Sequence, residues 1–479
     1  MRTSSVQAGR RWLPVLAAGA VLLFYGTARA DNLGDILVKK GLITPEELRQ
    51  AQEEDKQKAA AQESLRDAVA AKIPKWLESI SLFGDLRNRV EGFYGHDYHA
   101  QTRYRVRARV GLQANVSDEI SGTVRLASGD PNDPISTNQT LTNVFTRKPF
   151  NLDWAYMTVK PGKTFGLQPG WGQILIGKFP VILARESELV WDDDLSPEGL
   201  TEALNLVEQR EGFFRSFRLY ALQWELNEVA TNNDSYVLGG QAALDMAVGS
   251  TATWSAFFGD YSFQGMNRVA STFISQFSDP SGATANPNFN SSLANSNDVV
   301  TNGKKLIAYR YGFNVINFGS EMDFPNPAGL GIPAGVYGEL ANNTQADKHN
   351  SGVILGVGVG KAGKDWYHNS LKNPGDWAVT YSWLWVEKDA LVSLFSYSDF
   401  NYQQVNSTQN VTQKGSTNVT GSVLRLDYEL FPNFQLTMKS AFINALDRSI
   451  ATTNNGNSGK PLIGNPTLAR LQFDAVLRF

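Results

Sequence analysis

Ala469-Arg-Leu-Gln-Phe-Asp-Ala-Val-Leu-Arg-Phe479 closes the chain and decides how the rest is read. Taken two by two, Ala469, Leu471, Phe473, Ala475, Leu477 and Phe479 share one side, against Arg470, Gln472, Asp474, Val476 and Arg478 on the other. Period two sorts the charges onto one face, whereas a helix would scatter them around its axis, so the segment is a β-strand. Alone it could equally be an edge strand of a soluble sandwich, and the remaining segments must decide.

Working upstream, the same period returns. In 81–91 the even positions Leu82, Gly84, Leu86 and Val90 are apolar or small, and Asp85, Arg87, Arg89 and Glu91 take the odd ones. The next strand is cleaner: Tyr104, Val106, Ala108, Val110, Leu112, Ala114 and Val116 alternate with Arg103, Arg105, Arg107, Arg109 and Gln113. Four arginines on one face belong on the wet side of a soluble sheet or in a water-filled lumen. Facing lipid, each would cost about 2–4 kcal/mol at the midplane.

Candidate strands lie near 79–91, 102–116, 120–128, 150–160, 172–180, 200–209, 214–226, 235–248, 251–259, 305–317, 330–341, 351–361, 376–386, 417–429, 434–445 and 468–479. Short connections at 117–119, 210–213, 249–250 and 431–433 contrast with long ones at 129–149, 181–199, 260–304, 387–416 and 446–467. A sandwich has no reason to gather long loops at one end; a membrane barrel does, with turns in the periplasm and loops outside. The expected fold is therefore an all-β membrane barrel of about sixteen antiparallel strands. Glycine-rich 352–360 blurs boundaries enough to leave fourteen or eighteen open. Sixteen strands enclose an aqueous channel rather than a packed interior. Trp254, Phe258, Trp377, Tyr381, Trp383 and Trp385 fall on the apolar side and suit an interfacial aromatic girdle, or a sandwich core. The stretch 278–302, almost wholly Asn, Ser, Ala, Pro and Asp, reads as an external loop with little fixed structure.

The N-terminal region differs in kind. Residues 1–30 read as a signal peptide: Arg2, Arg10 and Arg11, then apolar Trp12 to Tyr25, then Ala28-Arg29-Ala30 as a cleavage site. Arg10-Arg11 lacks the rest of a twin-arginine motif, so the general secretory route is expected. Residues 31–76, rich in Ala, Glu, Gln and Lys, predict a periplasmic helical segment: one helix near 33–40, and a second starting at Thr44-Pro45-Glu46-Glu47 with a capping box and ending by Pro74. Residues 77–479 form the barrel domain. Cysteine is absent and 42% of residues are apolar, with no apolar run long enough for a lone helical anchor. A thiolate metal site or nucleophile is thereby excluded. Removing the four arginines of the signal peptide takes the net charge of −3 to −7, which argues against a nucleic-acid partner. His96, His99, His349 and His368 fit no catalytic pattern. No cofactor, metal or enzymatic activity is expected.

Several blocks are similar to those of the bacterial "putative porin" family: Leu189-Val-Trp-Asp-Asp-Asp-Leu-Ser-Pro-Glu-Gly-Leu200, Leu126-Ala-Ser-Gly-Asp130 with Ser136-Thr-Asn-Gln-Thr-Leu141, Ile176-Gly-Lys-Phe179, and Glu387-Lys-Asp-Ala-Leu391 with Tyr397-Ser-Asp-Phe400. The resemblance spans roughly 76–479, and Gly41 to Glu47 also looks similar. It implies an outer-membrane porin for small hydrophilic solutes or ions, without naming a solute. The terminal strand with Phe473, Leu477 and Phe479 resembles the signal by which the barrel-assembly machinery inserts such proteins into outer-membrane lipid. Analogy with general porins suggests a homotrimer. In those porins the third external loop narrows the barrel; here that loop carries Asp192, Asp193 and Asp194. Opposite Arg103, Arg105, Arg107 and Arg109, with Arg87 and Arg89 alongside, these acids would set a transverse field across a constriction. Otherwise the acids sit in an external loop and the arginines neutralise Asp85, Glu91 and their neighbours. An anion- or sugar-selective channel, or a plugged barrel in a larger outer-membrane complex, are the alternatives.

Overall fold

In a computed structural model, the described residues are 40, 44–50 and 53 and, within 79–479, all except 96–99, 143, 210, 229–232, 250, 270–295, 303–304, 328, 330, 362–364, 369–370, 401–403, 406–411, 414 and 448–466. The chain divides into two units, Met1–Glu78 and Ser79–Phe479. In the first, residues 45–50 are helical. Thr44 donates its N–H to the Glu47 carboxylate at 2.7 Å and its hydroxyl accepts the Glu47 N–H at 3.2 Å, the reciprocal pair expected of a capping box. The proposed signal peptide, the first helix apart from Lys40, the second helix beyond residue 50 apart from Glu53, residues 278–295 of the external loop, and His96 and His99 lie outside the described residues.

The second unit is a closed antiparallel barrel of sixteen strands. The first half comprises β1 (Ile80–Tyr94), β2 (Gln101–Asn115), β3 (Ile120–Ser128), β4 (Phe150–Val159), β5 (Gly172–Lys178), β6 (Glu198–Glu208), β7 (Phe214–Asn227) and β8 (Ser235–Val248). The second comprises β9 (Ala252–Gln264), β10 (Phe313–Phe324), β11 (Ala334–Asn343), β12 (Ser351–Gly360), β13 (Trp377–Val386), β14 (Val419–Phe431), β15 (Phe434–Ala445) and β16 (Leu468–Arg478). Each strand pairs with the next, and β16 returns to β1 from Asp85↔Arg478 to Tyr94↔Ala469. Among the described residues, each of the sixteen strands is paired on both sides, which lipid requires because it offers no competing hydrogen bonds.

The dyad pattern is obeyed in space. On β1, Leu82, Leu86 and Val90 are exposed while Asp85, Arg89 and Glu91 are buried inside. On β16, Phe473, Leu477 and Phe479 point outward, and Arg470, Gln472 and Asp474 inward. Phe258, Trp377, Tyr381 and Trp383 are likewise exposed on the outer face.

One strand is displaced from its sequence-based position. The pattern near 305–317 resolves into β10 at Phe313–Phe324 and a separate segment, Lys305–Tyr309, paired with Val299–Asn302 in the connecting loop. The inward row begins with Phe313 and Val315, fully buried in the lumen's aromatic cluster, and turns polar only at Asn317, Glu321 and Asp323, so its start does not read as a polar inner face. The two-ended asymmetry also holds less strictly than expected, since connections 160–171, 325–333 and 361–376 lie at the short-turn end.

Phe479 completes the seam. Its N–H and carbonyl both bond to Gly84, at 3.1 and 2.9 Å, and its ring lies over the glycine, where a Cβ would come within 2.7 Å. A Cβ there would also meet the Arg109 carbonyl oxygen of β2, so Gly84→Val must shift both the terminal ring and the β1–β2 backbone, at a cost of about 1–3 kcal/mol, on the scale of overpacking. The expected result is less protein in the compact, heat-modifiable band on a detergent gel; an unchanged yield would show that the contact does not help close the barrel.

Candidate functional site

The arginine row of β2 faces the inner surface of β1, and the register sets the charges in a checkerboard. Across β2, β1 and β16 the rows read Arg109–Asp85–Arg478, Arg107–Arg87–Val476, Arg105–Arg89–Asp474 and Arg103–Glu91–Gln472. Arg87 opposite Arg107 and Arg89 opposite Arg105 would repel. Each like pair is flanked by an acid that relieves it. Asp85 accepts from Arg107 Nε at 2.8 Å and from Arg109 Nε at 2.6 Å. Glu91 holds Arg103 at 2.5 Å and Arg470, with Arg105 at 3.8 Å. Asp474 takes Arg89 through two parallel bonds of 2.7 Å, the strong fork geometry of guanidinium on carboxylate. Arg87 reaches Asp474 at 4.0 Å and donates to Asn138 at 2.6 Å.

The second loop supports this wall. Its short strand Gln139–Thr140 pairs with Arg105 and Val106 of β2, on the side that β3 leaves uncovered. Thr137 N–H and Asn138 thereby face the arginines.

Connection 179–197, the third loop at the long-loop end, crosses the lumen because its sequence changes character within six residues. Leu189, Val190 and Trp191 are buried, and Trp191 packs on Trp224 of β7 and on Tyr261 and Phe263 of β9, with ring centroids 4.9, 5.2 and 5.8 Å away. Asp192, Asp193 and Asp194 follow at once and extend toward the other wall. Asp194 lies 3.2 Å from Arg109 and 3.7 Å from Arg107, and accepts the Thr137 N–H. Asp193 pairs with Arg185 at 3.1 Å and His368 at 3.0 Å. Asp192 accepts N–H groups of Asp194 and Ser398 at 2.8 Å. The sequence-based picture set the acids across open water from the arginines; instead Asp194 is in direct contact with two of them, and the loop itself spans the gap. Arg103 and Arg105 meet Glu91, away from the three aspartates.

Residues not singled out from sequence complete the site. Connection 387–418, the seventh loop, is tied to the third by Asp192 N–H to Phe395 carbonyl (2.8 Å) and Tyr397 N–H to Glu188 carbonyl (3.1 Å). Its Asp399 collects Arg89 at 3.1 Å, Arg470 at 3.0 Å and Lys439 at 3.0 Å. The block Tyr397-Ser-Asp-Phe400 carries only a family resemblance in the sequence; its place within a long connection gives no sign of cations inside. Asp399, Arg89 and Lys439, with Arg107, Arg109 and Asp192 to Asp194, line a cavity of about 650 Å³.

Burial shapes the loop acids. Burial, then the neighbouring charges of Glu188 and Asp194, pushes Asp192 well above the usual carboxylate range. Burial and Asp193 push Glu188 up to about 7. Burial also opposes the charge on Asp193 and Asp399, but His368 with Arg185, and Arg89 with Lys439, outweigh it and hold both carboxyls low.

Comparison with known proteins is consistent with this architecture. The family described as "Putative porin" matches residues 96–439. The fold is similar to Pseudomonas putida OprB at high pH, with 10% identity, a TM-score of 0.50, and 84% of this chain aligned to 94% of that one. Salmonella typhi OmpF in complex with daunomycin aligns at 10% identity and a TM-score of 0.42, covering 84% of this chain and 97% of its own. OmpT, an outer membrane protein of Vibrio cholerae, aligns at 9% identity and a TM-score of 0.41, with the same coverages. No curated protein matches the sequence. The chain belongs to the "Putative porin" family of outer-membrane β-barrels.

Proposed function

We propose that the barrel is a water-filled channel for passive diffusion of small hydrophilic solutes, and that its narrowest zone lies where the third loop meets the arginines of β1 and β2. The observation that carries this reading is the loop's two-sided seat, Trp191 on the aromatic wall and Asp194 on Arg107 and Arg109. The side chains around the remaining space are polar and charged, so small solutes exchange their hydration for fixed charges while bulky apolar ones are refused. Residues 1–30 serve as the export signal, the 31–76 segment stands in the periplasm, and the C-terminal strand with Phe473, Leu477 and Phe479 addresses the barrel-assembly machinery. A homotrimer is the assembly that analogy with general porins suggests.

Reconstitution into a planar bilayer tests the channel: discrete conductance steps support it, and a silent, correctly folded protein contradicts it in favour of a plugged barrel. In such a bilayer Asp194→Ala should raise the chloride-to-potassium permeability ratio, and Arg107→Ala with Arg109→Ala should lower it, each by a factor on the order of two to five. Equal ratios in all three proteins would move the constriction elsewhere.

A preference for anions has one specific support: arginine and lysine slightly outnumber carboxylates around the cavity, and burial keeps Glu188 and Asp192 reluctant to ionise. Because Glu188 binds its proton more tightly folded than unfolded, the stability it lends is complete below the usual glutamate range and is lost as pH rises to about 7. Over the same interval the constriction gains negative charge. The chloride preference should fall as pH rises through about 7, and Glu188→Gln should flatten that dependence; the same slope in the variant would assign it to another group.

A further inference from the structure

The connection 361–376 joins β12 to β13 at the end of the barrel where β1 begins and β16 finishes, opposite the long loops. A turn there needs only to reverse the chain, yet this one carries Trp366, Tyr367 and His368, and the first two are buried. Trp366 lies in a slot on the inner wall made by glycine: a Cβ at Gly335 of β11 or Gly358 of β12 would overlap its ring. Its indole N–H donates to Asp323 at 2.7 Å and its backbone N–H to Glu321 at 3.0 Å, both on β10. From β14, the strand beside β13, Arg425 donates to the carbonyls of Tyr367 and His368 at 2.9 and 3.2 Å.

Anchored in this way, the tip reaches both long loops. The Tyr367 hydroxyl donates to Glu188 of the third loop at 2.9 Å, and its ring meets Tyr397 of the seventh edge-on at 5.8 Å. The His368 ring has Asp193 at 3.0 Å from Nε2 and Asp365 at 2.6 Å from Nδ1. An imidazole with a carboxylate at each nitrogen donates from both, and so is the cation. Tyr367 and His368 both line the same cavity as Asp193, Asp194, Arg107 and Arg109.

We infer that the Asp365–His368 segment is a second constriction element, inserted from the end opposite the long loops, and that Tyr367 and His368 are specificity-determining residues of the channel. The inference rests on the channel reading above. Tyr367 supplies bulk between the third and seventh loops at the cavity's edge. His368 offsets Asp193, which is otherwise balanced by Arg185 and, at longer range, by Lys439. The narrow zone is thus closed from both ends of the barrel, and its width is set by a contact between segments far apart in sequence.

Three variants, each checked for the heat-modifiable barrel band, test this in planar bilayers beside the parent. Deleting 363–370 should raise the single-channel step roughly twofold, as expected when one of two elements is withdrawn from a water-filled constriction. Gly358→Val keeps every lumen charge but fills the Trp366 slot, and should raise the step in the same direction. Tyr367→Ala with His368→Ala leaves the Trp366 anchor in place; it should raise the step and shift the reversal potential toward cations. A folded barrel with the parent's step and reversal potential in the double variant overturns the inference even if the deletion fails to fold. A parent that conducts nothing overturns the channel reading instead.

Discussion

Everything inside this barrel depends on charges being held in a cylinder that lipid surrounds. A guanidinium facing acyl chains costs several kcal/mol, so the dyad period must send every arginine of β2 inward, where each needs a partner or water. The register of β1 on β2 supplies partners by placing Asp85 and Glu91 at the two ends of the arginine row. Asp474 arrives from β16, which is to say only once the barrel has closed. Closure of the backbone seam and neutralisation of the arginine wall are therefore one event.

The third loop extends the same logic across the lumen. Its Leu189-Val190-Trp191 half satisfies the aromatic surface of β7 and β9, while Asp193 and Asp194 satisfy basic groups, the arginine wall among them, and Asp192 caps backbone N–H groups. Neither half would hold alone: a dry apolar seat leaves the acids unpaired, and ion pairs in a wet lumen contribute little without burial. The seventh loop and the inward turn at Trp366 lock this arrangement from two further directions. Protein interiors transmit such constraints because they are close-packed, so a change at one of these segments is felt at the others.

How much of this was legible in the sequence follows from what period two can encode. Alternation fixed which face each strand turns inward, and it did so along the charged rows of β1, β2 and β16, where the inward positions are predominantly polar. It failed at β10, whose inner face carries Phe313 and Val315 against the loops rather than water, so the boundary was misplaced. Contacts between loops have no period at all. Asp192 to Asp194 could be noticed as a run of acids, but that Asp194 would touch Arg109 while Asp192 turned to backbone N–H groups depends on where the loop lands. Trp366-Tyr367-His368 in a connection on the short-turn side was the one local signal for the inward turn: bulky aromatics have no role in a solvated reversal.

The most direct measurement uses the absence of native cysteine. Asp193→Cys introduces a single thiol at the tip of the third loop, and a charged, water-soluble thiol reagent is added while current flows through the reconstituted protein. A loop seated in an aqueous lumen should give a stepwise, reducible block that the cysteine-free parent does not show. An unaltered current in protein shown by mass to be labelled would place that loop outside the conduction path and contradict the central claim.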